Sequence, residues 1–374
     1  MKWTPSDLKK TRLLVNQGLT NYNIAQILGC TTAALECKMR RENIVREHMQ
    51  QTGIGKNKRY KHQTIATELI RYFQSAKQVY DEYKDIYSNI KLKSKKSKSK
   101  QIEEQVLLLS DMHTGMINKA PITGEITYDE SIQEKELQTL VQGIFRFYEL
   151  YQASYNITRL HIFALGDLIT NDRIFEGQQT EITCQTGEQI IKCFNYLSDM
   201  LKKLLEIYPE INLIMQYGNH GRTTSNLIVE DPKSNFEYLL GLLLKERFAN
   251  NERINIILPD DYAYEYRIFG HRYLLTHGNM IRGGTLNSIE KAAKEIALLV
   301  EEEYYDVITI GHFHSCQELS ISPSTTMIVN GCFINKDSYA YNKLRKFSTA
   351  KQVLFNVSKR SAYHNLQKIE LIWD

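Results

Sequence analysis

Five short polar pieces occur in series along the chain: Asp111-Met112-His113, Gly166-Asp167, Gly218-Asn219-His220, His277 and His312-Phe313-His314. Each follows an apolar run, in turn VLLLS, HIFAL, LIMQY, YLLT and VITI. Taken singly these are ordinary sequences, since a histidine beside a strand is usually structural and a Gly-Asp or Gly-Asn step usually marks a turn. Together they bring carboxylate, amide and imidazole groups to a set of strand ends. That donor set suits manganese, iron or zinc and contains no thiolate. It predicts a dinuclear divalent-metal centre, whose chemistry is to polarise a phosphoryl group and activate water. Alternation along a strand is expected to put Asp111 and His113 on one face, and likewise His312 and His314.

The elements that must position these groups are legible from residue 101 onward. The apolar runs read as strands, and TLVQGIFRFYELY and IIKCFNYLSDMLKKLLEIY read as amphipathic helices between them. Strands delivering polar side chains at their carboxyl ends are the arrangement by which open α/β sheets bind ligands. Further strands are expected near 318–322, 325–333, 351–358 and 366–373.

The series D-x-H, GD, GNH, H and GHxH resembles the calcineurin-like metallophosphoesterases over roughly residues 105–335. The resemblance implies an α/β fold, a four-layer αββα sandwich of two mixed sheets faced by helices. It implies that Asp111, His113, Asp167 and His314 bind one metal, and Asp167, Asn219, His277 and His312 the second, with Asp167 bridging. His220 would protonate the leaving oxygen or stabilise its charge. The cofactors implied are two divalent ions, manganese first, with iron, zinc or magnesium as substitutes. The chain departs from the Ser/Thr phosphatase pattern. GDxVDRG appears as GDLITND, so Asn171 stands at the phosphate-clamping arginine, and Gly221 replaces the acid of GNHE. Substrate contacts are then expected from Asn219, Asn171 and Arg222, with Arg173 as a further candidate. GNHGR and the short spacing resemble metallophosphoesterases of phages and prophages, and more distantly the Mre11/SbcD nucleases.

Charge is divided along the chain. The net +4 of the 374 residues conceals a basic front end, with 21 Lys and Arg against 8 Asp and Glu in residues 1–100. Such a front end points to an anionic partner. Residues 1–50 read as a helix-turn-helix domain, with helices Ser6–Gln17, Asn21–Leu28 and a third from Thr31, and a core of Trp3, Leu14, Ile24, Ile27, Leu28 and Leu35. The pattern resembles Myb-like and sigma-region modules, which implies a DNA partner contacted through Lys38, Arg40, Arg41 and Arg46 on the third helix. Residues 51–100 read as a helical segment and linker. A seven-residue apolar repeat over 62–90 suggests one helix, either packed on its own body or paired in a homo-oligomer. The KLKSKKSKSK run, 91–100, reads as a flexible linker, and 101–374 as the catalytic domain. A basic aromatic segment, 335–351, offers Lys336, Tyr339, Tyr341, Lys343 and Arg345 to a nucleic-acid strand.

Six scattered cysteines without a C-x-x-C pair suggest a reducing, cytoplasmic setting. No apolar run approaches the ~20 residues of a membrane span, no secretory signal is evident, and no P-loop is present. The function expected is metal-dependent phosphodiester hydrolysis, with DNA as substrate, in a phage or prophage protein acting in a bacterial host. The alternatives are a phosphatase or small-molecule diesterase that uses its front end for assembly, and a DNA-binding regulator with a vestigial metal site.

Overall fold

The structure, a computed structural model, describes residues 3–16, 21–42, 44, 74–79, 85–90, 101–120, 122–225, 230–281, 288, 291–292, 305–336 and 349–372. Cα packing divides the chain into two compact units, Met1–Ile70 and Arg71–Asp374.

The first unit contains three short helices, α1 (Pro5–Asn16), α2 (Asn21–Leu28) and α3 (Thr32–Arg41). Reciprocal bonds between Thr4 and Asp7 open α1, satisfying backbone donors that a helix start leaves free. The Thr31 hydroxyl accepts from Ala34 N at 3.2 Å and caps α3, as expected of the threonine pair. Val15, Ile24, Ala25, Leu28, Leu35 and Met39 form the core, with Trp3 and Leu14 packed against it. Ile27 is not part of it: the inner face of α2 runs through Ile24, Ala25 and Leu28 and leaves Ile27 47% exposed. Arg40 and Arg41 are exposed. Lys38 is half-buried and pairs with Glu42 at 2.7 Å, and Arg46 lies outside the described residues.

The second unit is a mixed α/β body. A six-stranded sheet has the order β13-β12-β1-β4-β5-β6 and a five-stranded sheet the order β10-β11-β9-β8-β7. The first comprises β1 (Ile102–Leu109), β4 (Asn156–Leu165), β5 (Glu210–Gln216), β6 (Ile254–Ile257), β12 (Lys351–Ser358) and β13 (Ser361–Glu370). The second comprises β7 (Ala263–Ile268), β8 (His271–Thr276), β9 (Val307–Ile310), β10 (Gln317–Ser320) and β11 (Thr326–Val329), while β2 (Asn118–Lys119) and β3 (Ile126–Tyr128) form a small ribbon. β1, β4 and β5 are mutually parallel, as are β8 and β9. Their uninterrupted apolar sequences follow from burial on both faces.

Three helices, α4 (Glu130–Gln152), α5 (Thr186–Leu204) and α6 (Phe236–Arg247), cover the outer face of the larger sheet. There Leu137, Ile144, Leu197, Leu201 and Leu240 share one core with Leu107, Ile162 and Leu213. Val106, Phe163, Leu165 and Ile214 meet Tyr273, Leu275 and Ile328 in a second core between the sheets. A third core lies on the far face of the smaller sheet, where Ala292, at a helical residue, packs on Ile308, Ile310 and Met327. Residues 282–287, 289–290 and 293–304, between β8 and β9, lie outside the described residues.

Residues 74–79 are helical, but 85–90 form a turn instead of continuing a helix through Ile90. Asp85 accepts from Tyr87 N at 2.8 Å, and Tyr87 and Ile90 are buried in the core beneath α4. The repeat positions Ile86 and Ile90 therefore contact this body. Leu69, Tyr72 and Tyr83 lie outside the described residues, as do the 91–100 run and Tyr339, Tyr341, Lys343 and Arg345.

Candidate metal centre

The five site-bearing strands all end at the same edge of their sheets, because β1, β4 and β5 run in parallel in one sheet and β8 and β9 in the other. The strands stop before the polar residues: β1 ends at Leu109 and β9 at Ile310. Strand alternation therefore does not bring Asp111 to His113, or His312 to His314. Left-handed backbone does so, with φ of 52° at Asp111, 45° at His113, 54° at Asp167, 67° at His312 and 50° at His314. Such residues cost roughly 1–2 kcal/mol each, and persist where surrounding structure overdetermines them, typically at functional sites. Here the overdetermination is visible. Asp111 N donates to Gly166 O and His113 N to Asp167 O, both at 3.0 Å. His312 N donates to the Asp111 carboxylate at 3.1 Å. A Cβ on Gly218 would lie 2.0 Å from Asp167 Oδ1, so the GNH turn can approach this carboxylate only as glycine.

The donors fall into groups that match the expected ligand sets. Asp111, His113 and His314 have ligating atoms within 4.8 Å of one another, as do Asp167, His277 and His312. Asp167 also groups with His113 and His220, which places it between the two sets. Asn219 Oδ1 lies 3.1 Å from His277 Nε2, joining the second set. His314 Nε2 is 3.3 Å from Asp111 Oδ1 and 3.2 Å from His113 Nε2. All seven expected ligands are thus gathered, and both sets draw on both sheets.

The electrostatics favour cations. Burial alone would raise both aspartates, but His314 holds Asp111 low, and His277 and His220 hold Asp167 well below the usual carboxylate range. Burial, aided by neighbouring imidazoles, lowers His113 and His312 to about 3, keeping them neutral and able to donate lone pairs. Burial also opposes protonation of His277, yet Asp167, 3.0 Å away, outweighs it and raises this histidine to about 9. A proton on His277 therefore occupies a place that a divalent ion would contest. Anionic carboxylates beside neutral imidazoles, with His113 and His314 turning nitrogens toward each other, form a donor set that fits two divalent ions.

Around these groups the remaining expected residues divide. His220 donates from Nδ1 to Thr170 O at 2.7 Å, leaving Nε2 on the site side, 4.0 Å from Asp167 Oδ2. Asn171 is buried, and its amide donates to His220 O and Arg222 O at 2.7 and 2.8 Å, while its Oδ1 accepts from Asp172 N. It holds the GNHGR loop and has no group left to clamp a phosphate, which corrects the substrate contact expected of it. Arg222 donates from Nε to Asn219 O at 2.9 Å, and its Nη groups have no hydrogen-bond partner among the described residues. Arg173 is largely exposed and pairs with Asp172 at 3.3 Å.

Four supporting residues escape the sequence analysis. Glu237, fully buried near the start of α6, accepts from Gly218 N at 2.6 Å and from Leu168 N, and so fixes the turns beside Asn219 and Asp167. Asn235 caps that helix through Glu237 N and donates to Gly218 O at 3.1 Å. A Cβ on Gly221 would fall 2.0 Å from Asn235 Oδ1, which explains why no larger residue stands there. Gln189 accepts from Asn171 N at 2.7 Å, and Gln178 donates to Thr170 O at 2.6 Å, behind His220. Only Asn235 had a local signal, as a capping residue before an apolar helix.

No family model matches the chain. A protein of Bacillus subtilis strain 168, described as the SPbeta prophage-derived uncharacterized protein YonJ, is 22% identical over 232 residues, 62% of this chain and 54% of that protein. The chain thus spans about half the length of the curated relative it matches. Similar solved structures include a metallophosphoesterase from Sphaerobacter thermophilus (12% identity, 71% of this chain and 88% of that one, TM-score 0.30). A conserved protein of Streptococcus pneumoniae TIGR4, described as a predicted phosphoesterase, is 7% identical over 72% of this chain and 98% of its own, with a TM-score of 0.29. Vacuolar Protein Sorting 29 from Cryptosporidium parvum is 13% identical over 71% and 96%, also with a TM-score of 0.29.

Proposed function

We propose that this protein is a metal-dependent phosphodiesterase that cleaves DNA, holding two divalent ions, manganese first, between Asp111, His113, Asp167, Asn219, His277, His312 and His314. The observation that carries this reading is the convergence of all seven donors in two sets with Asp167 between them. When bound, the ions supply positive charge that polarises a phosphoryl group and acidifies water.

The chain's own groups supply the rest. His220 N donates to Asp167 Oδ1 at 2.8 Å, so the GNH turn and this carboxylate, which would be shared by both ions, hold each other. His220 keeps its Nδ1 proton on Thr170 O, and a second proton can sit only on Nε2, facing the site. From there it protonates or hydrogen-bonds the leaving oxygen. Arg222, with Nε anchored, presents its Nη fork to a non-bridging phosphate oxygen. DNA is proposed as the substrate on the basic three-helix front end, where Arg40 and Arg41 on α3 are available to phosphates.

The first test is hydrolysis of linear and circular DNA with Mn²⁺, beside a chromogenic phosphodiester, using Asp167→Ala and His220→Ala as controls. Cleavage of DNA by the wild type, lost in both variants, supports the proposal. Cleavage of the small diester alone would retain the metal site and replace DNA by a small-molecule substrate. DNA binding without hydrolysis under any divalent metal would leave a DNA-binding regulator.

A further inference from the structure

One aromatic side chain beside the site is exposed without a structural reason to be. Phe175 is 47% exposed, and its ring lies 5.0 Å from that of His220, with the planes at 53°. Single exposed apolar residues are ordinary. This one differs in how firmly it is held. Phe175 N and Ile174 N both donate to Gln178 Oε1, at 3.1 and 2.8 Å, and Gln178 N donates back to Phe175 O at 3.3 Å. Ile174 is buried, and Gln178 is buried and tied to Thr170 O, the same carbonyl that orients His220. The loop thus fixes an apolar ring in solvent and sets it against the imidazole proposed to face the leaving oxygen. On its inner side His220 meets His113, with ring centroids 4.6 Å apart. A row of rings therefore leads from the metal donors to Phe175.

The geometry points to Phe175 as a stacking platform for a nucleobase flanking the scissile phosphate. This rests on the proposed function, since it takes the leaving oxygen to lie at His220. A group attached to that oxygen is within reach of Phe175, and the ring offers it an apolar face with no hydrogen-bonding demand. Any base has a face to match, so the platform selects for a base without reading which one. A base on Phe175 must leave its neighbours in the stack, so single strands and frayed ends are preferred over intact duplex.

The test is calorimetric binding of thymidine 5′-monophosphate, thymidine 3′-monophosphate and inorganic phosphate to the full chain with Mn²⁺, comparing wild type, Phe175→Ala and Phe175→Trp. Hydrolysis of thymidylyl-thymidine is measured in parallel. The expected result is that one nucleotide binds wild type more tightly than phosphate does. Phe175→Ala should weaken that nucleotide by roughly 5- to 100-fold, leave phosphate unchanged, and be rescued by Phe175→Trp. Equal weakening of nucleotide and phosphate would make Phe175 a prop for His220 and overturn the inference, as would no weakening at all. Nucleotide binding that needs Phe175, in a wild type that cleaves no diester, would keep the platform and sink the phosphodiesterase reading.

Discussion

At the scale of single residues, His277 and His220 make opposite predictions. His277, raised to about 9 by Asp167, is protonated in the metal-free protein at neutral pH. A folded value above the ordinary 6.5 stabilises that metal-free fold fully below 6.5, and this contribution disappears as pH rises through 9. A metal must expel the proton, so its apparent affinity should rise about tenfold per pH unit up to about 9 from this group alone. Calorimetry in buffers of different ionisation enthalpy should record a proton released per ion pair bound; affinity that is flat between pH 7 and 9 would contradict the arrangement. His220, by contrast, stands outside the two proposed ligand sets, although it groups with His113 and Asp167. His220→Ala should retain metal content, measured by elemental analysis, while kcat falls about 10²- to 10⁴-fold. The loss should be larger for an alkyl leaving group than for p-nitrophenolate, which needs no proton. An equal loss on both substrates would remove the proton-donor role.

At the scale of elements, the strand ends depend on a helix that contributes no donor of its own. Glu237 on α6 satisfies the backbone N–H groups of Gly218 and Leu168, each adjacent to a site residue. Glu237→Ala leaves both buried and unpaired, a cost of about 1–3 kcal/mol each, and should lower metal affinity about 10- to 100-fold. Chemical denaturation and metal titration read the two effects; an unchanged metal affinity would mean that the turns hold themselves. Gly221→Ala tests the same junction from the other side, because its new methyl would displace the Asn235 cap, worth about 0.5–2 kcal/mol. These elements also mark what the sequence conceals. The apolar runs with polar ends identify β1, β4, β5, β8 and β9 and the polar residues gathered at their tips, since local pattern is what defines them. The means of convergence is not legible, because left-handed φ at aspartate and histidine has no sequence signature. Nor are Glu237, Gln178 and Gln189, whose partners are backbone atoms brought near only by tertiary packing. Ile27 fails for the same reason, as an apolar residue does not specify which surface it meets.

At the scale of the molecule, the proposed function assigns DNA affinity to the basic front end and hydrolysis to the larger unit. Replacing Arg40 and Arg41 by alanine should weaken DNA binding and make the negative slope of log affinity against log salt shallower by about 0.9 for each phosphate no longer neutralised, while leaving cleavage of a chromogenic diester intact. Unchanged salt dependence would remove α3 as the anchor. Lys38 should matter less, since its ammonium already pairs with Glu42.

Each proposed metal set joins donors from chain segments that are made at different times. Asp111 and His113 precede His312 and His314 by about 200 residues, and the Asp111 to His312 and His113 to His314 contacts each span 201. A ribosome adding about 5–20 residues per second therefore carries the first half of the centre for roughly 10–40 s before the second half exists. By the end of that interval the emerging chain has added Asp167, Asn219 and His277 but not His312 or His314, so neither set is complete. A metal centre assembled in this order stays incomplete until His314 has been added, and chains arrested before Gly311 should load no ion pair, whereas chains arrested well beyond β12 should.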